Sequence, residues 1–419
     1  MALLAEAVDA DALARLTPES SGDTTTVNMD DAASFLLLLP PPPSPPTIPT
    51  LKELYGDTLT QVLKEADLAS KDSVQPSVLD IALAIPHLAA QSAIPRSELY
   101  APTQTILAAV YKLICLIAAQ EQINVEDADG VDVRILPVAW SPQSTFDASA
   151  CNTSYGPVLD LQSLAASQRP WQYAFGVEND QGEVFVRAFV AAKQAAANHH
   201  CDCHPTPGKP ESASTPRLSA KEHHHVAVGG TFDHLHIGHK LLLTMTAFAL
   251  DQTQSESIMT VGITGDELLK NKKYAEQLES WSDRQRSVHR FLDAILNFAS
   301  PEAAQPVMQE IKEPGPNGHA VNIKYPNGLN IRCVEIWDPF GPTITEKDIS
   351  ALIISAETRA GGSAVNDKRT ENGWSALDVL EVDVLDSKET SSPASQQNFE
   401  GKLSSTEIRK KRAQKTASL

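Results

Sequence analysis

The sequence predicts an α/β fold in two parts: a parallel sheet wrapped by helices in the second half of the chain, and a separate α+β unit before it. Three observations carry this expectation. From residue 222 onwards, short apolar strands alternate with helical patterns, as expected of strands joined by helical crossovers. The strand at 225–230 ends in a glycine pair and leads into an apolar helix at 237–250. Between 196 and 221 the composition shifts to Pro, Ser and His, which marks a linker. A chain of 419 residues also exceeds one typical domain and fits two.

Residues 1–50 have mixed composition and end in the run PPPPSPPTIP, so they are expected to form a disordered, extended tail. The α+β unit is placed at 51–195. Within it, 51–68 and 103–120 show helical spacing, and 131–139 reads as a strand in which Pro137 points to an edge position. Residues 176–192 read as strands turning at Asn179-Asp180-Gln181-Gly182. The second domain is placed at 222–413, followed by a short tail at 414–419. Its further elements are a strand at 257–263, a helix at 282–300 capped by Ser282 and stopped by Pro301, and strands at 329–337, 352–355 and 377–385. Helices are expected at 361–372 and 404–412, and 302–328, with its Pro, Gly and Asn residues, reads as an insertion loop.

The formal charge of −19 argues against general nucleic-acid binding, because a phosphate backbone repels an acidic protein. Five cysteines, an odd number with long gaps between most of them, do not resemble a secreted disulfide framework. The acidic N-terminus resembles neither a signal peptide nor a transit peptide, and the apolar run at 35–39 is too short to cross a bilayer. The expectation is a cytoplasmic protein, with the nucleus as the alternative, that engages no membrane.

The chemistry concentrates in Gly229 to His239, GGTFDHLHIGH. Gly229 and Gly230 let the backbone turn tightly beside a ligand. The helix that follows offers unpaired N–H groups and a partial positive charge, which suits an anion. His236 and His239 lie three apart, on one face if helical geometry already holds there, and Gly238 between them leaves room for a bulky group. Thr231, Phe232 and Asp233 complete the turn. Such a segment suits a polyphosphate; the alternative is that the histidines cap the helix or fill a polar pocket.

His236-Ile237-Gly238-His239 resembles the HxGH signature of the nucleotidyltransferase superfamily. Further segments are similar to the eukaryotic and archaeal type of phosphopantetheine adenylyltransferase: Val261 to Lys270, Asp283-Arg284-Gln285-Arg286, Asp338-Pro339-Phe340-Gly341-Pro342, and Ser355 to Gly362 with Asn366 and Arg369. Lys402 to Arg409 resembles the superfamily's second signature, with Leu403 in place of an isoleucine. The resemblance covers 224 to about 413 and implies a Rossmann-like domain that transfers the adenylyl group of ATP to 4'-phosphopantetheine, with Mg2+ carried by the nucleotide. It further implies that His239 donates to the α-phosphate, that His236 holds the β- and γ-phosphates and that Thr231 orients the incoming phosphate. Ser404, Ser405, Thr406 and Arg409 would grip the β- and γ-phosphates.

Lys270, after the second strand, is expected to clamp phosphate, with Lys272 and Lys273 undecided. Arg359, just past a strand end, is expected to reach phosphate too, and Arg369 is undecided. No P-loop occurs in the sequence, so a fused kinase step is not expected. The alternatives are a nicotinamide mononucleotide adenylyltransferase, a cytidylyltransferase, or a scaffold that gathers coenzyme A-synthesising proteins through the N-terminal half. His199, His200, Cys201, Cys203 and His204 lack a second ligand pair at zinc spacing, so no bound structural metal is expected.

Overall fold

The computed structural model describes residues 32–71, 73–89, 94–126, 129–143, 155–198, 222–251, 256–300, 302–385 and 404–417. The N-terminal half consists of β1 (Ser34–Leu39), α1 (Ile48–Lys71), β2 (Val78–Ala84), α2 (Pro86–Ala89), α3 (Arg96–Glu121), β3 (Asp132–Val138), α4 (Leu161–Ala166), β4 (Tyr173–Gly176) and α5 (Asp180–Asn198). Its four strands lie in the order β3-β2-β1-β4, and every pairing is parallel. Helices join the parallel strands, so this half is α/β rather than α+β.

Two sequence expectations about individual elements change here. Ser34–Leu39, assigned to the extended tail, is an inner strand of the sheet. Phe35 to Leu39 are each no more than 2% exposed, because a strand covered on both faces is a continuous apolar run without alternation. The prolines that follow form the connection into α1, where the Tyr55 hydroxyl donates to the Pro40 carbonyl at 2.5 Å. The second strand of the expected pair within 176–192 is a helix: Asn179 caps α5 by accepting the Gly182 N–H at 2.8 Å, a role that resembles a hairpin turn in sequence. Phe185, Val186, Phe189 and Val190 then recur at helical spacing and are buried. Pro137 does lie on an edge strand, as its missing donor requires. The His and Cys cluster at 199–204 lies outside the described residues.

The C-terminal half contains β5 (His225–Gly230), α6 (Ile237–Ala249), β6 (Ser257–Thr264), α7 (Trp281–Leu296), β7 (Val307–Lys312), β8 (His319–Lys324), β9 (Leu329–Ile336), β10 (Ala351–Ser355), α8 (Arg359–Glu371), β11 (Asp378–Val382) and α9 (Ser405–Ala417). Its sheet runs β11-β10-β5-β6-β9-β8-β7. The first five strands in that order are parallel. The expected insertion loop at 302–328 contains an antiparallel hairpin that extends the sheet, and its outer strand β7 is largely exposed. Ser280, not Ser282, caps α7, accepting the Asp283 N–H at 3.2 Å. β6 follows β5 on one side while β10 pairs on the other. The end of β5 is therefore the point where the strand order reverses, the usual ligand crevice of such sheets.

The two sheets share one continuous apolar core. α3 packs along α6, with the Tyr100 and Phe248 rings 6.4 Å apart and the Arg96 guanidinium 5.3 Å from the Phe248 centroid. Among the described residues α3 is the one helix long and apolar enough to cross a membrane, and most of its apolar stretch is buried inside the protein.

Candidate active site

The crevice is built from the turn between β5 and α6. A side chain on Gly229 would meet open space, whereas one on Gly230 would stand 3.1 Å from the Phe232 ring. Phe232 and His234 hold left-handed backbone, at φ 52° and 47°, which costs non-glycine residues on the order of 1–2 kcal/mol each. Packing offsets that strain. Phe232 is fully buried, and His234 is fixed from two directions. Its backbone N–H donates to Glu279 Oε2 at 2.7 Å, and its Nε2–H donates to the Gln277 carbonyl at 2.8 Å. The carbonyl accepts only, so Nε2 carries a proton.

His236 occupies the N-cap of α6, and no side chain caps the helix. The first-turn N–H groups therefore remain available at the end of β5. The His236 and His239 rings stack with centroids 3.8 Å apart and planes 19° from parallel. Nδ1 of each is buried, with no protein partner among the described residues. Burial, reinforced by His239, Lys240 and His234, pushes His236 well below its ordinary pKa. Burial also lowers His239 to about 4, with Asp233 opposing and His234 assisting. Both rings are thus neutral at pH 7, and each presents one donor and one acceptor nitrogen. A polyphosphate beside them would raise both values, because an opposite charge at 4–6 Å favours the cation.

The chain matches two family models. Residues 227–411 match the cytidylyltransferase-like model, and residues 26–211 match a domain of unknown function, DUF8446. An uncharacterized protein of Schizosaccharomyces pombe is 34% identical over 269 residues, covering 62% of this chain and 70% of its own. The C-terminal half of this chain is a cytidylyltransferase-like domain. A protein of Saccharomyces cerevisiae named phosphopantetheine adenylyltransferase is 36% identical over 46% of this chain, and the match spans 49% of that relative's length. One of the same name from Pyrococcus furiosus is 31% identical over 40% of this chain and 82% of its own.

Within the cytidylyltransferase-like domain the structure gathers some of the expected residues and disperses others. Gly229, Gly230, Thr231, Phe232, Asp233, His236, Gly238 and His239 form the crevice. Arg409 does not face it: the side chain is 3% exposed and its guanidinium bonds Asp233 Oδ2 at 2.5 Å, the Lys273 carbonyl at 3.1 Å and Thr406 Oγ1 at 3.1 Å. A fully buried carboxylate needs such a counter-charge. The Ser405 hydroxyl donates to the Asp233 carbonyl at 2.8 Å, and Ser404 accepts weakly from the Glu407 N–H at 3.4 Å. The expected phosphate grip of α9 is therefore, in this structure, a fastening of α9 onto the turn between β5 and α6. Lys270 lies on the exposed rim beside Glu267, and Arg359 is paired with Glu381 at 2.5 and 2.7 Å. Lys272 and Lys273 are exposed. Arg369 is buried and donates to the carbonyls of Thr343, Glu346, Lys347, Ile349 and Ser375, a structural task.

Sequence reasoning assigned no role to four residues that shape the site. Arg284, fully buried, donates to the carbonyls of Thr231, Thr264 and Glu279 and to Asp266 Oδ1. Glu279 and His234 set the turn as described. Lys240, the one charge inside the apolar run of α6, bonds to the N-terminal half. That lone lysine, and the arginine in Asp283-Arg284-Gln285-Arg286, were the available signals. Asp233, His234 and Glu279 bring ligand atoms within 4.8 Å of one another, but both Asp233 oxygens and Glu279 Oε2 already accept from protein donors. The trio acts as the frame of the turn.

Gly238 tests the crevice directly. A methyl group there would stand 3.1 Å from His236 Cε1 and 3.2 Å from Nδ1, so the ring must shift. Gly238→Ala is expected to lower turnover roughly tenfold, since small misplacements of reacting groups are costly. Circular dichroism should show an unchanged fold. Unaltered turnover would mean that the ring position does not matter.

Proposed function

We propose that this chain transfers the adenylyl group of ATP to 4'-phosphopantetheine, giving dephospho-coenzyme A and pyrophosphate. The stacked neutral pair His236 and His239, with bare inner nitrogens at an uncapped helix start, carries this reading. A phosphate oxygen of 4'-phosphopantetheine attacks the α-phosphorus, the α–β bridging bond breaks, and its electrons leave with pyrophosphate. No proton must leave the nucleophile if the acceptor phosphate is dianionic. His239 donates an N–H to the α-phosphate as charge develops, and His236 with the first-turn N–H groups of α6 holds the departing β- and γ-phosphates. Thr231 orients the acceptor. The Asp233 carboxylate in the turn already accepts from protein donors, so Mg2+ would be held by the nucleotide phosphates and would offset their charge there.

The choice of acceptor rests on the names of the relatives and on the segments after the first signature. A panel of ATP and CTP against 4'-phosphopantetheine and nicotinamide mononucleotide, read by pyrophosphate release, tests it. Release only with ATP and 4'-phosphopantetheine is the expected result. Turnover confined to CTP or to nicotinamide mononucleotide would replace this reading, and inactivity throughout would favour the scaffold.

A further inference from the structure

We propose that the N-terminal half is a brace for the two helices of the active site, holding the first turn of α6 through Lys240 and the end of α7 through Arg169. Lys240 directly follows His239. Its Nζ bonds Asp132 Oδ1 at 2.5 Å and the Val133 carbonyl at 3.0 Å, and its side chain is only 7% exposed. Asp132, at the start of β3, also accepts from Arg134 at 2.5 and 3.0 Å. Burial pushes the Asp132 carboxyl up, but Lys240 and Arg134 outweigh it and hold it below the usual carboxylate range. Arg134 faces Asp80 at 3.9 Å. Asp80 is 2% exposed and accepts from Arg169 Nη1 and Trp171 Nε1, each at 2.9 Å. Arg169 then reaches the far end of α7. It donates to the Ala294 carbonyl and, at 3.3 Å, to that of Asn297, with its guanidinium 3.8 Å from the Phe298 centroid.

Five charges of alternating sign thus run from the turn carrying His236 and His239 to the carbonyl end of α7, where a cation complements the helix dipole. Buried ion pairs are weak evidence for stability but fix geometry, since displacing one member strands the next. α7 also carries Arg284, which ties the ends of β5 and β6 together. The chain of charges therefore ties the DUF8446 half to both walls of the crevice. Lys240 and Asp132 are positioning residues in this scheme.

The test uses the full chain with Lys240→Met, Asp132→Asn and the double variant. Turnover is expected to fall roughly tenfold in each single variant, with KM changed by less than about twofold, because placement and not affinity is lost. Imidazole NMR titration gives a second readout. The charged or titratable groups acting on His236 are His239, Lys240 and His234, so Lys240→Met should move His236 up towards its ordinary value. The double variant should be no worse than the poorer single one, as expected of coupled residues. If Asp132→Asn fails to fold with Lys240 left unpaired, the double variant, which removes both charges, still decides. Unchanged kcat and unchanged His236 titration in folded variants, even with a lower Tm, would overturn the proposal, as would fully additive losses. The kinetic arm rests on the adenylyl-transfer reading, whereas the titration arm does not, so the two failures are distinguishable.

Discussion

His239→Ala is expected to lower kcat by on the order of 10²–10³-fold, the usual cost of removing one donor to a developing oxyanion. The ring lies half-buried over Phe232, with centroids 5.3 Å apart, and stacks on His236. Truncation opens a small polar space at the helix start and leaves the core intact. The melting temperature should change little, and nucleotide binding should weaken less than turnover, because His236 and the first-turn N–H groups remain. His239→Asn, which retains a donor, should recover part of the loss. Pyrophosphate release under saturating substrates measures the effect. Near-normal turnover in a folded His239→Ala protein would remove this residue from the chemistry.

Arg284→Met should give the largest stability change, about 2–4 kcal/mol, because a buried cation with four acceptors cannot be removed without stranding them. Three of those acceptors are backbone carbonyls at the ends of strands or in turns, and the fourth, Asp266, is itself half in solvent, which moderates the loss. The same substitution should loosen Thr231 and so lower turnover beyond the loss of folded protein. Denaturant midpoints give the measurement. Arg286→Met, two residues on, breaks only an exposed pair with Asp283 and should shift stability by less than about 0.5 kcal/mol. Equal shifts in the two variants would contradict the role assigned to Arg284.

The turn between β5 and α6 was legible in the sequence because glycines, histidines and the start of an apolar helix occur within eleven residues and need no distant partner. The alternation of strands and helices after residue 222 was legible for the same local reason. The first strand was not. Phe35 to Leu39 lie between an acidic segment and a run of prolines, and only its neighbours β2 and β4 make them a strand. Asn179-Asp180-Gln181-Gly182 misled because a helix cap and a hairpin turn use the same residue types. Arg359 and Arg409 show the limit for charges. Each sits where a phosphate ligand is expected, yet Glu381 and Asp233, remote in sequence, occupy them. Spacing along the chain shows which side chains are near a strand end, but not which carboxylate reaches them first.

The packing of α3 on α6 also affects how the chain is finished on a ribosome. α3 ends at Glu121 and α6 at Ala249. At roughly 5–20 residues per second, α6 follows on the order of ten seconds later. Until then the Tyr100 side of a 26-residue apolar helix lacks its Phe248 partner. The other side of α3 packs on α1 within the N-terminal half, so the emergence of α6 covers the face that is still open.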